Sequence, residues 1–285
     1  MRGPSLLLLV LVSILLASTS RAQQEVRGPS GLFGPVQTVR EERVTFTKEN
    51  GKAVEGPRVL VQTMTFNEDG SKWEQSVYGP SGQVIFLYRL QTFGPDGRNI
   101  ERQIFNGKGM SQGRTVTFYD EQKRPSEIIS YRDDGSIGNK ITYRRSGNTL
   151  ESENVTYDRQ GAIIAQEKMT NDLPQGQFES VLTTPRSTAE SRGSLTRNPD
   201  GSQELREQRS TGEAIHEKTI SDGRGSMDRV IYNPDGTINR TERLIREFDQ
   251  YRNVIKTTHQ TATGDSKDFE TVDINYRIFT YYEKQ

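Results

Sequence analysis

The chain has 285 residues, no cysteine, and equal numbers of basic and acidic side chains, 38 of each. This balance argues against a nucleic-acid binder, which usually carries a basic face or a high pI. The absence of cysteine excludes disulfide bonds and a lipid-attachment cysteine. Hydrophobic residues make up 31% of the chain, against about 45 to 50% in ordinary globular domains, so one thick core is not expected.

Residues 1–22 follow the plan of an export signal peptide. Arg2 supplies positive charge, residues 6–16 form an apolar run, and residues 20–22 (Ser-Arg-Ala) offer a cleavage site that would leave Gln23 first. The apolar run is too short to span a bilayer, which takes about 20 residues, and no later segment approaches that length. We therefore expect a secreted or periplasmic protein with no membrane span after signal cleavage.

The dominant pattern beyond the leader is a four-residue turn that usually follows an aromatic residue and closes with glycine. Proline presets φ at the second turn position, Asp or Asn binds its own backbone, and glycine takes the left-handed conformation. The pattern predicts structural roles for the leading residues Phe66, Tyr78, Phe93, Tyr131, Tyr143, Tyr157 and Tyr232, and for the closing residues Gly70, Gly82, Gly97, Gly135, Gly147, Gly161 and Gly236.

Segments of about 8 to 11 residues between the turns alternate apolar and polar side chains. Val116 and Phe118 stand two apart, as do Ile141 and Tyr143, so each pair shares one face of a strand. Strands joined by short turns pair antiparallel with their neighbours in sequence. The sequence predicts an all-β protein, an elongated antiparallel β-repeat meander or a spiralling sheet, with little helix outside the signal peptide.

The repeat varies in strength along the chain and divides it into three parts after the leader. Residues 23–170 form a β-repeat region. Residues 171–228 are poor in bulky apolar side chains and could be degenerate repeats, a linker or a mobile loop; Asn-Pro-Asp-Gly at 198–201 favours degenerate repeats. Residues 229–285 regain the pattern and end in an alternating segment, 273–282, which we expect to be a closing strand.

Two of these turns resemble a known repeat. Residues 157–161 (Tyr-Asp-Arg-Gln-Gly) and 248–253 (Phe-Asp-Gln-Tyr-Arg-Asn) are similar to the Y-D-x-x-G-N core of YD repeats, found in RHS-repeat proteins. The likeness covers about residues 60–282. It implies a secreted or cell-envelope β protein of a kind associated with carbohydrate or partner binding.

The sequence contains no recognisable catalytic, cofactor or metal motif. His216 and His259 have no second histidine or cysteine nearby, and a zinc site needs clustered ligands. The calcium-loop spacing of acidic residues is missing, and turn formation already explains the acids in the turns. Two carboxylates that are distant in sequence could still form the pair used in glycoside hydrolysis.

Trp73, the only tryptophan, is the single candidate for a ligand-binding residue because it stands outside the repeat and could stack on a sugar. Our leading hypothesis is a non-catalytic β-repeat protein that binds an envelope polysaccharide or a protein partner. The alternatives are a glycoside-type hydrolase with paired carboxylates and a purely structural envelope protein that self-associates through strand edges.

Overall fold

A computed structural model describes residues 26–27, 32–50, 52–94 and 97–283. The predicted signal peptide lies outside the described residues, as do Pro95 and Asp96 of one predicted turn. Every regular element in these ranges is a β-strand, and all strand pairs are antiparallel, which confirms the all-β class. No helix long and apolar enough to cross a membrane occurs in the described ranges.

The described chain contains 21 strands. They are β1 (Val26–Arg27), β2 (Leu32–Phe33), β3 (Val36–Glu49), β4 (Lys52–Glu55), β5 (Val59–Phe66), β6 (Lys72–Tyr78), β7 (Val84–Phe93), β8 (Asn99–Asn106), β9 (Ser111–Tyr119), β10 (Pro125–Tyr131), β11 (Ile137–Ser146), β12 (Thr149–Tyr157), β13 (Ile163–Asp172), β14 (Gln177–Thr184), β15 (Ser187–Arg197), β16 (Gln203–Arg209), β17 (Ala214–Ser221), β18 (Ser226–Tyr232), β19 (Ile238–Phe248), β20 (Val254–Thr263) and β21 (Glu270–Tyr281).

Strands β3 to β21 form one closed barrel, while β1 and β2 form a separate two-stranded sheet. From β5 onward each strand pairs with its neighbour in sequence, as in a meander. β4 and β5 follow one another along β3, so the nineteen strands occupy eighteen positions around the ring. The strands β14 to β17, from the part of the sequence with the weakest repeat, take their places in the same ring.

The sheet is not strictly the expected meander or spiral, because its two ends pair with each other. β21 pairs with β3 over the register that runs from Asp273–Thr45 to Tyr281–Val36. An open sheet would leave two rows of unpaired backbone N–H and C=O groups, and closure satisfies them. The β21–β3 pairing joins residues more than 200 positions apart. The alternation of apolar and polar side chains within a single strand therefore carries no information on this pairing.

The barrel has two faces that the pairing registers define. We call the face that carries Glu41 the inner face, because twelve of the twenty buried non-glycine residues that the structure describes lie on it. The opposite, outer face holds five of the twenty, and the other three lie at a strand end or in turns. An outer ion pair such as Arg192–Glu179 leaves its side chains 71% and 66% exposed, whereas the inner pair Arg277–Glu41 leaves 38% and 10%.

Apolar side chains are divided between the two faces instead of sharing one. Val116 and Phe118 lie on the outer face, whereas Ile141 and Tyr143 lie on the inner face. Neither face is therefore uniformly apolar. The strands form a thin polar wall in place of a two-layer hydrophobic core, which agrees with the low hydrophobic content of the chain.

The predicted turns mostly close with a hydrogen bond from the glycine N–H to the first turn residue. The donor–acceptor distances are 2.9 to 3.3 Å for Gly70, Gly82, Gly97, Gly135, Gly161 and Gly236, all with positive φ. The aromatic residues Tyr78, Phe93, Tyr131, Tyr157 and Tyr232 before these turns lie on the outer face, and Phe66 lies on the inner face. Tyr143 differs, since β11 continues to Ser146 and Gly147 with Asn148 forms the reversal.

The main apolar cluster fills one end of the barrel. Val36, Val39, Phe66 and Trp73 form its buried centre, and Leu32 packs against them. The side chain of Asn253, which is 2% exposed, holds the backbone of Phe33 next to Leu32 of this cluster. It accepts a hydrogen bond from Phe33 N at 2.7 Å and donates to Phe33 O at 2.8 Å, as a neighbouring strand would.

Gly113 in β9 is a position where side chains are excluded for two reasons. Its φ is +119°, and a Cβ there would lie 2.2 Å from Tyr131 O. Gly135 has a φ of +82° but nothing within 4 Å of the Cβ position. We expect Gly135→Ala to lower the free energy of unfolding by about 1 kcal/mol from backbone strain, and Gly113→Ala by about 3 kcal/mol because overpacking adds to strain. Urea denaturation measures both, and equal losses would contradict the close approach.

Candidate functional site

The space enclosed by the inner face, which we call the lumen, is open to water. A ring of eight strands is about filled by its own side chains, whereas sixteen to eighteen strands leave an aqueous interior. All seven residues of β10 are only partly buried, on both faces alike. Arg102 is exposed although its register places it on the inner face. The lumen therefore presents side chains to solvent instead of forming a packed core.

A band of hydrogen-bonding side chains crosses the inner face from β21 to β6. Arg277 Nε donates to Glu41 Oε2 at 2.8 Å, and Gln62 Nε2 donates to the same oxygen at 3.0 Å. Gln75 Nε2 then donates to Gln62 Oε1 at 2.6 Å. Glu41 lies opposite Gln62, whereas Gln75 lies opposite Met64, two positions further along β5. The hydrogen bonds thus join opposite and diagonal neighbours into a continuous row.

The row continues across the next strands. Tyr88 lies opposite Gln75, and the Arg102 guanidinium lies 5.6 Å from the centre of the Tyr88 ring. Thr115 Oγ1 and Ser130 Oγ are 3.3 Å apart on the next pair of strands. The inner face thus offers an aromatic ring beside amides, hydroxyls and a guanidinium. Surfaces that bind sugars combine an aromatic or apolar face with such donors and acceptors.

A second polar group lies on the inner face of β17 to β19. Arg229 Nη2 is 2.7 Å from Glu217 Oε1, and Arg229 Nη1 is 3.4 Å from Glu242 Oε2. Arg240 Nε donates to Glu242 Oε1 at 2.9 Å. Opposite charges pair across neighbouring strands here, so this part of the lumen is polar without a strong field of either sign.

Two carboxylates on the inner face of β13 and β16 are unusual in their surroundings. Burial raises the pKa of Glu167 above its ordinary value of 4.5, a hydrogen bond from Asn154 opposes that shift, and the charge of Glu207 adds to it. The Glu207 side chain is 1% exposed and its Oε1 accepts from Arg209 Nε at 2.8 Å. Its Oε2 is buried without a hydrogen-bond partner among the described residues.

The two histidines lie on different faces and neither belongs to a metal cluster. His216 stacks on Tyr232 at 4.1 Å on the outer face, and its Nε2 is 2.7 Å from Glu204 Oε1. His259 Nδ1 is 3.5 Å from Asp273 Oδ2 on the inner face. Across the described part of the chain, no group of three or more His, Cys, Asp or Glu side chains is placed to hold a metal ion.

Trp73 lies in the apolar cluster at the end of the barrel. It is 7% exposed and stacks on Phe66, with 6.2 Å between the ring centres. Its role as a sugar-stacking residue stays a prediction, and its burial favours packing. Because truncation of a buried Trp costs about 3 to 5 kcal/mol, Trp73→Ala would report on folding before it reported on binding.

Trp73 also borders a pocket of about 400 Å³ between β5 and β8. Six of its ten lining residues have outer-face register, so the pocket opens on the outer face. These six residues are Thr65, Lys72, Glu74, Arg89, Gln91 and Gln103. Sequence reasoning did not find this pocket, because its residues come from four strands and carry no motif.

The chain matches no family model and no curated protein. The resemblance to YD repeats therefore rests on the two turns in which it was found. Among solved structures, a porin-like protein from Bacteroides uniformis ATCC 8492 aligns with a TM-score of 0.36 and 6% identity, covering 86% of this chain and 98% of that chain.

Two further solved structures align with similar or lower scores. A porin-like protein from Bacteroides vulgatus ATCC 8482 gives a TM-score of 0.34 at 8% identity, covering 87% of this chain and 98% of that chain. A structure titled TcdB2-TccC3-Cdc42 gives 0.18 at 10% identity, covering 89% of this chain and 18% of that chain. Scores this low establish neither a shared fold nor a shared function.

The raised pKa of Glu167 gives a prediction with a definite sign. The folded protein holds the Glu167 proton more tightly than the unfolded chain does, so its contribution to stability falls as the pH rises above the ordinary pKa. We expect Glu167→Gln, which cannot ionise, to gain stability relative to the wild type as the pH rises above the ordinary pKa of 4.5. Chemical denaturation at a series of pH values measures the difference.

Glu204→Gln is the matched control for this experiment. Hydrogen bonds from Arg206 and then His216 lower the pKa of Glu204, so the wild type gains stability as the pH rises toward the ordinary value and the variant does not. As the pH rises, the free energy of unfolding of Glu167→Gln should therefore increase relative to the wild type, and that of Glu204→Gln should decrease relative to the wild type. The same slope for both would contradict the burial of Glu167.

Proposed function

We propose that this protein is a secreted or periplasmic, non-catalytic binding protein that holds an envelope polysaccharide along its inner face. The observation that carries the proposal is the row of amide, hydroxyl, aromatic and guanidinium groups that faces an open lumen.

The chemistry of the row suits a polymer rich in hydroxyl groups. Gln62 and Gln75 carry both donors and acceptors in one side chain, and a sugar hydroxyl is likewise both. The Tyr88 ring supplies a surface on which a sugar ring can stack. Charged groups in the lumen pair with one another, as Arg229 does with Glu217 and Glu242, which favours a polysaccharide of low charge.

We infer a location outside the cytoplasm from residues 1–22, which resemble an export signal. We infer that the outer face contacts water from the charged side chains on it. Lys140, Glu153 and Lys168 lie in the middle of their strands on that face. A charge facing lipid at the bilayer midplane costs about 2 to 4 kcal/mol for Arg or Lys. Many such residues around the ring favour water on the outside of the barrel as well as in the lumen.

The closed ring weakens the alternative of a structural protein that assembles through its strand edges. The strands of the ring are paired on both sides except the four-residue β4, which has a pairing register only with β3, so this barrel presents no long free edge to a second copy. A protein partner would have to bind side chains on the outer face or the turns.

A glycan array probed with the mature protein tests the proposal. We expect retention of at least one neutral polysaccharide, and about a tenfold or greater loss of affinity in Arg102→Gln, since a hydrogen bond from a charged donor is worth that factor. Arg192→Gln, at an exposed arginine on the outer face, is the control. Failure to bind any neutral glycan, or equal effects of the two variants, would reject a binding role for the lumen.

Glycoside hydrolysis is a second candidate because Glu167 combines a raised pKa with a second carboxylate, Glu207, near enough to influence it. A general acid needs a raised pKa and its partner an ionised carboxylate. On this reading, incubation with the bound polysaccharide would release new reducing ends, and Glu167→Gln would abolish the release while leaving binding intact. Binding without any release of reducing ends supports the non-catalytic proposal.

A further inference from the structure

The outer pocket between β5 and β8 brings together an ion-paired and an unpaired basic side chain. Many basic side chains on that face form ion pairs, as Lys140 does with Glu127 and Arg243 with Asp228. In the pocket, Lys72 and Arg89 line the same space of about 400 Å³ with one carboxylate, Glu74. A pocket of this size can enclose a small ligand.

Hydrogen-bond donors in the pocket outnumber the acceptors that engage them. Arg89 uses Nε on Glu74 Oε2 at 3.2 Å and stacks over Phe105 at 5.2 Å, which leaves both terminal nitrogens available. Within the described ranges, the Lys72 amine makes no hydrogen bond or ion pair. Hydrogen bonds from Ser71 and, to a lesser extent, the charge of Lys72 lower the pKa of Asp69 in the adjoining turn. The Asp69 carboxylate already accepts a hydrogen bond from Ser71 N at 2.8 Å.

The other lining groups are neutral and suit a polyhydroxylated ligand. Gln91 and Thr65 add an amide and a hydroxyl beside the two cations. Lys72 and Arg89 are the cationic donors of the pocket, and Glu74 in the pocket and Asp69 in the adjoining turn keep its net charge low. This suits one carboxylate on the ligand better than a doubly charged phosphate.

We propose that this pocket is a binding site for a sugar carboxylate, with Lys72 and Arg89 holding the carboxylate and Gln91 and Thr65 binding the hydroxyl groups. A uronic acid residue, free or at the end of a chain, has this chemistry. The site lies on the outer face and is separate from the lumen, so it does not depend on the proposed function.

Titration calorimetry of the mature protein with glucuronate, glucose and inorganic phosphate tests the proposal. We expect glucuronate to bind, and glucose and phosphate to bind at least tenfold more weakly. Lys72→Gln and Arg89→Gln should each weaken glucuronate binding by about tenfold or more, because each removes a charged hydrogen bond to the carboxylate. Lys168→Gln is the control, since its amine lies on the outer face of β13 beside Glu153.

The outcomes separate this site from the lumen. Loss of glucuronate binding in the two pocket variants, with Arg102→Gln unaffected, supports the proposal even if the lumen binds no glycan. Equal affinity for phosphate and glucuronate would show a general anion site and overturn it. Absence of glucuronate binding, or equal effects of Lys168→Gln and Lys72→Gln, would also overturn it; thermal unfolding of each exposed-residue variant checks that the fold is retained.

Discussion

Pairing of β21 with β3 is the interaction on which the rest of the structure depends. It joins residues 36–45 to residues 273–281 through an unbroken series of antiparallel partners with one register shift. Without it the sheet would have two unsatisfied edges and no distinction between inside and outside. With it, the same alternating strands surround a lumen, and residues such as Glu41 and Arg277 come together from opposite ends of the chain.

Closure also explains how a chain with so few hydrophobic residues can fold. A ring of eighteen positions encloses solvent, so its inner face does not require a packed apolar layer. The main apolar cluster lies at the end of the barrel where Leu32 packs against Phe66 and Trp73, and further buried apolar side chains such as Leu150 and Met169 lie along the wall. Stability elsewhere comes from the backbone ladder and from cross-strand pairs, which contribute about 0.2 to 1 kcal/mol each.

The local structure was predictable because turn chemistry is local. Proline, Asp or Asn, and glycine at fixed positions specify a reversal, and even Lys123 and Arg252, which replace glycine, keep positive φ values of 58° and 70°. The ring was not predictable in this way, since the β21–β3 register depends on residues far apart. Nor was the face of each residue: Ile141 and Val116 look alike in sequence but lie on opposite faces.

The candidate sites were hidden from the sequence for the same reason. Each strand adds one or two polar residues to the inner row, and single Gln, Tyr or Arg residues form no motif until the registers align them. Trp73 was the sequence-based candidate for ligand binding because it is the only tryptophan, yet it packs against Phe66. The side chains proposed to bind a ligand beside it are Lys72 and Arg89. The structural role of Asn253 had only a weak signal in the sequence. This residue is the last one of the segment that resembles a YD repeat.

The hydrogen bond from Tyr282 N to Pro35 O, at 2.8 Å, sets the two ends of the described barrel side by side. A ring built from hairpins between sequence neighbours has no intrinsic first strand. A short peptide could connect residue 283 to residue 32, and new termini could be cut at an exposed hairpin such as 158–161. Such a circular permutant would retain every strand pair of the barrel. It would convert the β21–β3 pairing from the most distant contact of the barrel into a local one, which is expected to speed folding.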